Sequence, residues 1–176
     1  MSATDDPKLV LTTERLLVRG DRAGDLEPVL ELWTDPEVTR HLGGPRDPEK
    51  LRSAVEENIR RERPDPWELW NLELRRDGSF VGNCGLLQKE IDGRDEVEIV
   101  YVLARRFQGR GLGLEAARAV AELAFEERGL ERLVALIEPE NMASVRLALR
   151  LGLRRDKDLV RQGRRLTLFA LEAVDR

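Results

Sequence analysis

The residues with the most chemical promise stand together in Phe107-Gln108-Gly109-Arg110-Gly111-Leu112-Gly113, between the most apolar segment of the chain, residues 97–103, and a longer helical pattern. Glycines at such a junction let the backbone turn sharply and leave N–H groups pointing outward. The start of a helix adds about half a positive elementary charge, so the turn suits a phosphate or a pyrophosphate. A contact of that kind contributes about 0.3 to 2 kcal/mol, whereas a micromolar ligand requires about 8 kcal/mol. Most of the binding energy must therefore come from elsewhere on a long ligand. Two phosphate motifs are excluded by single positions. A Walker A loop needs Gly-Lys-Ser/Thr where the chain reads Gly111-Leu112-Gly113, and a dinucleotide fingerprint begun at Gly109 needs glycine where Leu114 stands. The plain alternative is that these glycines only make a tight strand-to-helix connection.

Elsewhere, chemistry-bearing side chains are scarce. One histidine, His41, and one cysteine, Cys84, exclude an intramolecular disulfide and a His/Cys metal cluster. The chain holds 30 basic and 34 acidic residues for a net charge of −4, which offers no extended field to nucleic acid. Its longest charge-free apolar runs, such as residues 99–104, fall far short of the roughly 20 residues that cross a bilayer. Residues 1–8 are polar and carry two aspartates, the reverse of a signal peptide. A soluble, cytoplasmic protein is the expectation.

Hydrophobic periodicity predicts the elements that must position these residues. A polar extension, residues 1–8, precedes a single domain over 9–176. The first strand is expected at 15–19. Leu26, Val29, Leu30 and Trp33 make one helical stripe that Asp35-Pro36 ends, and Asp47-Pro48 opens a second helix bearing Leu51, Ala54, Val55 and Ile59 until Pro64. Alternation then takes over. Trp70, Leu72 and Leu74, residues 80–88 and residues 97–103 form a meander with turns at Asp77-Gly78 and Asp92-Gly93. A βαβ unit follows: strand 97–103, the glycine turn, a helix over 112–128 capped by Gly129, and strand 132–137. A short helix over 142–151 ends at Gly152, and a last hairpin has 166–174 as its stronger strand. The expected fold class is α+β, a mixed and mostly antiparallel sheet of about six or seven strands with helices on both faces and a central βαβ unit.

At this point the sequence resembles a known family. Gln108-Gly109-Arg110-Gly111-Leu112-Gly113 resembles the Q/R-x-x-G-x-G/A acyl-CoA signature of the GNAT N-acetyltransferases, and Glu98-Ile99-Val100-Tyr101-Val102-Leu103 resembles their fourth strand. Leu11-Thr12-Thr13-Glu14-Arg15-Leu16-Leu17-Val18-Arg19 is similar to the opening of the ribosomal-protein alanine N-acetyltransferase branch. Asn141-Met142-Ala143-Ser144-Val145 and Leu151-Gly152-Leu153 are similar to that branch's Asn-x-x-Ser helix and closing Leu-Gly-Phe. The resemblance covers nearly the whole chain. It implies acetyl-CoA as cosubstrate, no metal, and an amine acceptor, either a protein N-terminal α-amine or a small molecule. It implies further that two central strands splay apart so that pantetheine pairs with the fourth strand like an added strand. On that reading Tyr101, Val102 and Leu103 line the pantetheine, Gln108, Gly109, Arg110, Gly111, Leu112 and Gly113 wrap the pyrophosphate, and Asn141 meets the pantetheine or the acyl end. Asn141 is equally suited to cap a helix. Dimers are common among such proteins, so a homodimer is compatible with the resemblance.

Acyl transfer to an amine needs a neutral nucleophile, because an alkyl amine titrates near 10 and is protonated at pH 7. It also needs an oxyanion donor, here a backbone N–H near Val102 or Leu103, and a thiolate that leaves tolerably with a thiol pKa near 8.5. Glu98 is the candidate base, since it sits in an apolar strand where burial raises a carboxyl pKa. An exposed carboxylate or an arginine salt bridge is its bland alternative. The family's tyrosine acid falls on Ala148, which leaves Ser144, relaying through water, beside Glu98 and Asn141 in the candidate catalytic set. That departure keeps open a noncatalytic acyl-CoA sensor. His41 reads as a loop residue and Cys84 as a small core residue. The family's acceptor cleft falls on segments carrying Trp33, Trp67, Trp70, Arg161, Arg164 and Arg165, whose alternative is packing or a solvated face.

Overall fold

In the computed structural model, which describes residues 6–175, the strands are β1 (Leu9–Thr12), β2 (Leu16–Arg19), β3 (Leu69–Leu74), β4 (Phe80–Ile91), β5 (Arg94–Leu103), β6 (Arg132–Ile137), β7 (Arg154–Arg161) and β8 (Arg164–Glu172). They form one sheet in the order β1-β2-β3-β4-β5-β6-β8-β7, antiparallel throughout except where β5 meets β6. The mixed, mostly antiparallel sheet and its central βαβ unit are as expected, with one strand more than the six or seven predicted. That strand is β1. It is four residues long and only partly buried, so it shows too little alternation to be read, and it is held by pairing with β2, for example Thr12 against Leu17. Of the polar opening stretch, residues 1–5 lie outside the described residues.

Five helices are described: α1 (Leu26–Thr34), α2 (Pro36–Thr39), α3 (Pro48–Arg60), α4 (Leu112–Glu122) and α5 (Met142–Leu151). Asp35-Pro36 does end α1, but it also begins α2. The Asp35 carboxylate accepts the Glu37 N–H at 2.8 Å and Pro36 takes the first helical position, so the same residues that break one helix cap the next. Asp47 opens α3 as predicted, its Oδ1 accepting from Glu49 and Lys50 N–H. The long helix predicted to reach residue 128 stays regular only to Glu122 and ends in a wide π-type turn, Leu123–Glu127, with Arg128 N–H bonded to Leu123 O at 3.1 Å. Leu123, Ala124 and Phe125 are all buried in that turn.

Period-two alternation sorts β5 between the two faces of the sheet. Ile99, Tyr101 and Leu103 join the cluster under α4 and α5, with Leu16, Leu72, Leu86, Ala117, Val120 and Leu133, whereas Val100 and Val102 join Val29, Leu32, Trp33 and Val55 under α1 and α3. Burial of each such large side chain contributes about 1.5–3 kcal/mol, which is what holds both helical layers to the sheet. Farther along, the β4–β5 hairpin turns at Asp92 (φ 51°) and Gly93 (φ 76°) and brings Ile91 against Val134 and Leu168, where Lys157 Nζ meets Asp92 at 2.6 Å. Among the described residues no helix is long and apolar enough to cross a membrane.

Candidate active site

The site begins where the sheet comes apart. β5 and β6 share a single parallel pairing, Glu98 against Val134, while β4 stays paired with β5 from Arg94 to Leu103. The remainder of β5, through Leu103, therefore has no neighbouring strand on its β6 side. Directly beyond it Gln108 folds back, donating its side-chain N–H to Leu103 O at 2.9 Å. Gly109 (φ 72°) and Gly111 (φ 78°) then take left-handed conformations that an L side chain rarely adopts, and a Cβ on Gly109 would project into open space. Gly111 caps α4 with no side chain in place, and the first bond of the helix is Glu115 N–H to Gly111 O at 3.0 Å. The N–H groups of Leu112, Gly113 and Leu114 precede that bond, have no acceptor within the helix, and belong to residues that line the cavity described next, an anion cradle.

Along this turn and the open edge of β5 runs a cavity of about 420 Å³, lined by Tyr101, Val102, Leu103, Gln108, Gly109, Gly111, Leu112, Gly113, Asn141 and Ser144, with Arg146 and Arg150 from α5. Arg110 is absent from the lining. Its guanidinium lies 5.8 Å from the Phe107 ring and its carbonyl accepts from Arg15 Nη1 at 3.1 Å. Asn141 caps α5, accepting the Ser144 N–H at 3.2 Å, and faces the cavity as well. The Tyr101 hydroxyl donates to Ser144 O at 3.1 Å and ties α5 to the sheet, and burial raises its pKa well above the ordinary phenol value. Ala148 is fully buried in the core. A long ligand with a pyrophosphate fits this donor set: N–H groups at the turn, unpaired strand edge along the arm.

Alternation sends Glu98 to the opposite face of β5, into a second cavity of about 750 Å³ under α1 and α3. The side chain is 12% exposed, with Oε2 3.7 Å from Lys89 Nζ and Oε1 accepting the Leu136 N–H at 3.4 Å. Glu98 thus bridges the split between β5 and β6 by side chain where the backbones have separated. Burial pushes its carboxyl pKa up, against the pull of the Lys89 charge. Its ion-pair partner is Lys89 of the neighbouring strand, and the Arg161 charge adds a weaker pull. Leu42 lines both cavities, so they lie to either side of this residue.

The second cavity rests on a buried chain of polar side chains that the sequence reading missed. Trp33 Nε1 donates to Asn83 Oδ1 (2.8 Å), Asn83 to Asn71 (2.7 Å), and Asn71 and Asn58 both to the Asp21 carboxylate (2.8 and 3.0 Å). Burial raises the Asp21 pKa in spite of those two amides. The partners lie on α1, β4, β3, α3 and the loop after β2, so only the folded topology reveals the chain. Arg15 was missed as a site residue for the same reason. It grips Glu115 on the first turn of α4 at 2.6 Å while holding Arg110 O, and Thr13 Oγ1 binds Glu115 at 2.5 Å, so the β1–β2 turn braces the glycine turn.

Several candidate residues are placed elsewhere. Trp67 and Trp70 belong to the core cluster on the α4 face, with the Arg128 guanidinium 5.3 and 5.1 Å from their rings, and of the six acceptor-cleft candidates only Trp33 and Arg161 line the second cavity. Arg164 donates to Glu138 at 2.8 Å and to His41 O at 2.6 Å. Glu138 also holds His41 Nδ1 at 2.7 Å, and burial, which would raise its pKa, is outweighed by those two partners so that it stays below the usual carboxylate value. His41 Nε2 accepts from Arg40, which leaves Nδ1 to carry the hydrogen that Glu138 accepts. The loop at the rim of the first cavity is thereby fixed. Cys84 is completely buried, and burial pushes its thiol pKa up to about 12.

A family model described as an acetyltransferase (GNAT) domain matches residues 15–154. The chain is similar to the uncharacterized protein YkkB of Bacillus subtilis, 33% identical over 163 residues that cover 92% of this chain and 95% of that one. It is also similar to the uncharacterized N-acetyltransferase YnaD of the same organism, 30% identical with 83% of each covered. Among solved structures, an acetyltransferase (GNAT family) from Bacillus anthracis shares the fold with a TM-score of 0.78 at 24% identity, over 93% of this chain and 98% of that chain.

Proposed function

The chain belongs to the GNAT acetyltransferase family, enzymes that move an acetyl group to an amine, and from that premise we propose direct transfer from acetyl-CoA to a primary amine within a ternary complex. One observation carries the ternary reading: two cavities reach β5 from opposite faces and share Leu42, so two substrates can meet at one strand. A covalent route through this chain's thiol is disfavoured by the burial of Cys84. Acetyl-CoA supplies an activated thioester. The N–H groups of Leu112 to Leu114 hold its pyrophosphate with Gln108, Gly109 and Gly111, the free edge of β5 at Tyr101 to Leu103 takes the pantetheine, and Asn141 sits at the acyl end. Arg110 acts through its backbone, which Arg15 fixes.

The acceptor, a protein N-terminal α-amine or a small-molecule amine, enters the larger cavity. There Glu98 receives the proton that the amine sheds. Its raised proton affinity narrows the gap to an amine, and Lys89 stabilises the carboxylate form. No tyrosine stands at Ala148, so Ser144 with water returns a proton to a thiolate that leaves readily even unaided. The proposal takes residues 9–176 as one cytoplasmic domain with no nucleic-acid partner.

The test is a melting titration with acetyl-CoA followed by free-thiol release over a panel of amines. A rise in Tm together with thiol release on at least one amine is expected, and Glu98→Gln should lower kcat about 100-fold or more while the acetyl-CoA Kd changes less than twofold. Equal turnover by the variant removes Glu98 from the mechanism. A melting shift with no release on any amine would reduce the protein to an acyl-CoA binder.

A further inference from the structure

Resting on the acetyltransferase reading, the second cavity also says what the acceptor carries. Three carboxylates line it, and each is already engaged: Asp21 by the amides of Asn58 and Asn71, Asp47 by the first N–H groups of α3, Glu98 by Lys89. Three further cations lining it, Arg46, Lys50 and Arg161, form no ion pair among the described residues, although the Arg161 charge reaches the Glu98 carboxyl. Arg46 donates to Leu42 O at 3.1 Å and lies 5.5 Å from the Trp33 ring, Arg161 donates to Glu90 O at 2.7 Å, and the Lys50 ammonium has no hydrogen bond or ion pair among the described residues. They come from three separate elements, the loop before α3, α3 itself and the end of β7. A solvated helix face would place such charges on one element. These converge on one space, in a chain whose net charge is −4.

We propose that the acceptor is an amine bearing an anionic group, a carboxylate or a phosphate, which Arg46, Lys50 and Arg161 hold while the amine reaches Glu98. Like charges disfavour a polycation there, because several ammonium groups would meet four cations against three carboxylates, with Arg46, Lys50 and Arg161 outside any ion pair. Unpaired cations at a cavity wall gain most when the incoming group both neutralises them and accepts their hydrogen bonds, which carboxylate and phosphate oxygens do.

The experiment compares acceptors that differ by one anionic group: a glutamyl dipeptide amide against the glutaminyl dipeptide amide, phosphoethanolamine against ethanolamine, and spermidine as the polycation. Thiol release at fixed acetyl-CoA should give kcat/KM about tenfold higher for the anionic member of at least one pair, which also tells carboxylate from phosphate, with spermidine lowest. The double variant Lys50→Gln/Arg161→Gln should raise KM for the anionic acceptor and shrink the preference to about twofold. Its melting shift with acetyl-CoA should persist, which shows that it is folded and loaded. Equal rates within both pairs, or spermidine as the best acceptor, would overturn the anionic acceptor and leave acetyl transfer standing. A preference unchanged in the double variant would overturn the role of these cations. Silence on every amine would instead bring down the acetyltransferase reading on which the proposal rests.

Discussion

Cys84 shows how far one side chain constrains the chemistry. It is fully buried in the cluster around β4, and its thiol is pushed up to about 12, so neither access nor ionisation favours it as a nucleophile. A thiol-reactive disulfide reagent should find no titratable group in the native protein and one equivalent in denaturant, since the chain holds one cysteine. Rapid native labelling would contradict the burial and reopen a covalent route. The residue type alone made this legible, because a lone cysteine in an apolar strand is most often core. The glycine turn was legible too, since three glycines at a strand-to-helix junction mark a backbone with special duties. Other site residues were hidden by distance. Arg15 and Glu115 are 100 residues apart, and Trp33 and Asn83 are 50 apart, so no local spacing announces that they touch. His41 looked like a loose loop histidine because its partner Glu138 lies 97 residues on.

At the scale of elements, the entrance to α4 is where conformation and ligand binding depend on the same residue. Gly111 sits at φ 78° with Arg15 Nη2 as the nearest atom, 3.5 Å from where a Cβ would stand, so substitution strains the backbone without a clash. Gly111→Ala should therefore cost about 1–2 kcal/mol, or roughly 2–8 °C in Tm, and raise the acetyl-CoA Kd as the turn shifts to relieve the strain. Gly111→Asn, whose side chain tolerates the left-handed region, should recover most of both losses. If the asparagine variant is as impaired as the alanine one, conformation is not what the glycine provides. Helix boundaries set by such residues were readable: Asp47-Pro48 before α3, Asn141 before α5, Gly152 after it. β1 and α2 were not: Leu9, Val10 and Leu11 run apolar without alternation, and the four residues of α2 make barely one helical turn. The divergence of β5 from β6 was expected from the family resemblance alone, since hydrophobic alternation runs on through Leu103 and gives no sign that pairing stops after Glu98.

Across the whole molecule, buried carboxylates pull stability in opposite directions as pH changes. Burial would raise Asp25, Glu115 and Glu138, but ionic and hydrogen-bonding partners outweigh it and hold all three below their ordinary values. Their contribution is present above the unfolded values and is lost as pH falls through the depressed folded ones. Glu68 does the reverse. Burial raises it from 4.5 to about 7, although it accepts the Asp65 N–H at 2.9 Å and faces Arg61 at 3.3 Å. The folded state therefore binds a proton that the unfolded chain has released, and stability is greatest below 4.5 and declines as pH rises towards 7. The full shift corresponds to about 3 kcal/mol, and with the side chain still 14% exposed about 1–2 kcal/mol is the better expectation. Asp21 and Glu98, both raised by burial, add to the same trend. Denaturant midpoints should accordingly fall between pH 5 and pH 8, and Glu68→Gln should flatten most of that fall while leaving stability at pH 5 within about 0.5 kcal/mol of the parent. A midpoint that stays level or climbs from pH 5 to pH 8 would show that Glu68 is ionised in the fold, at home beside Arg61.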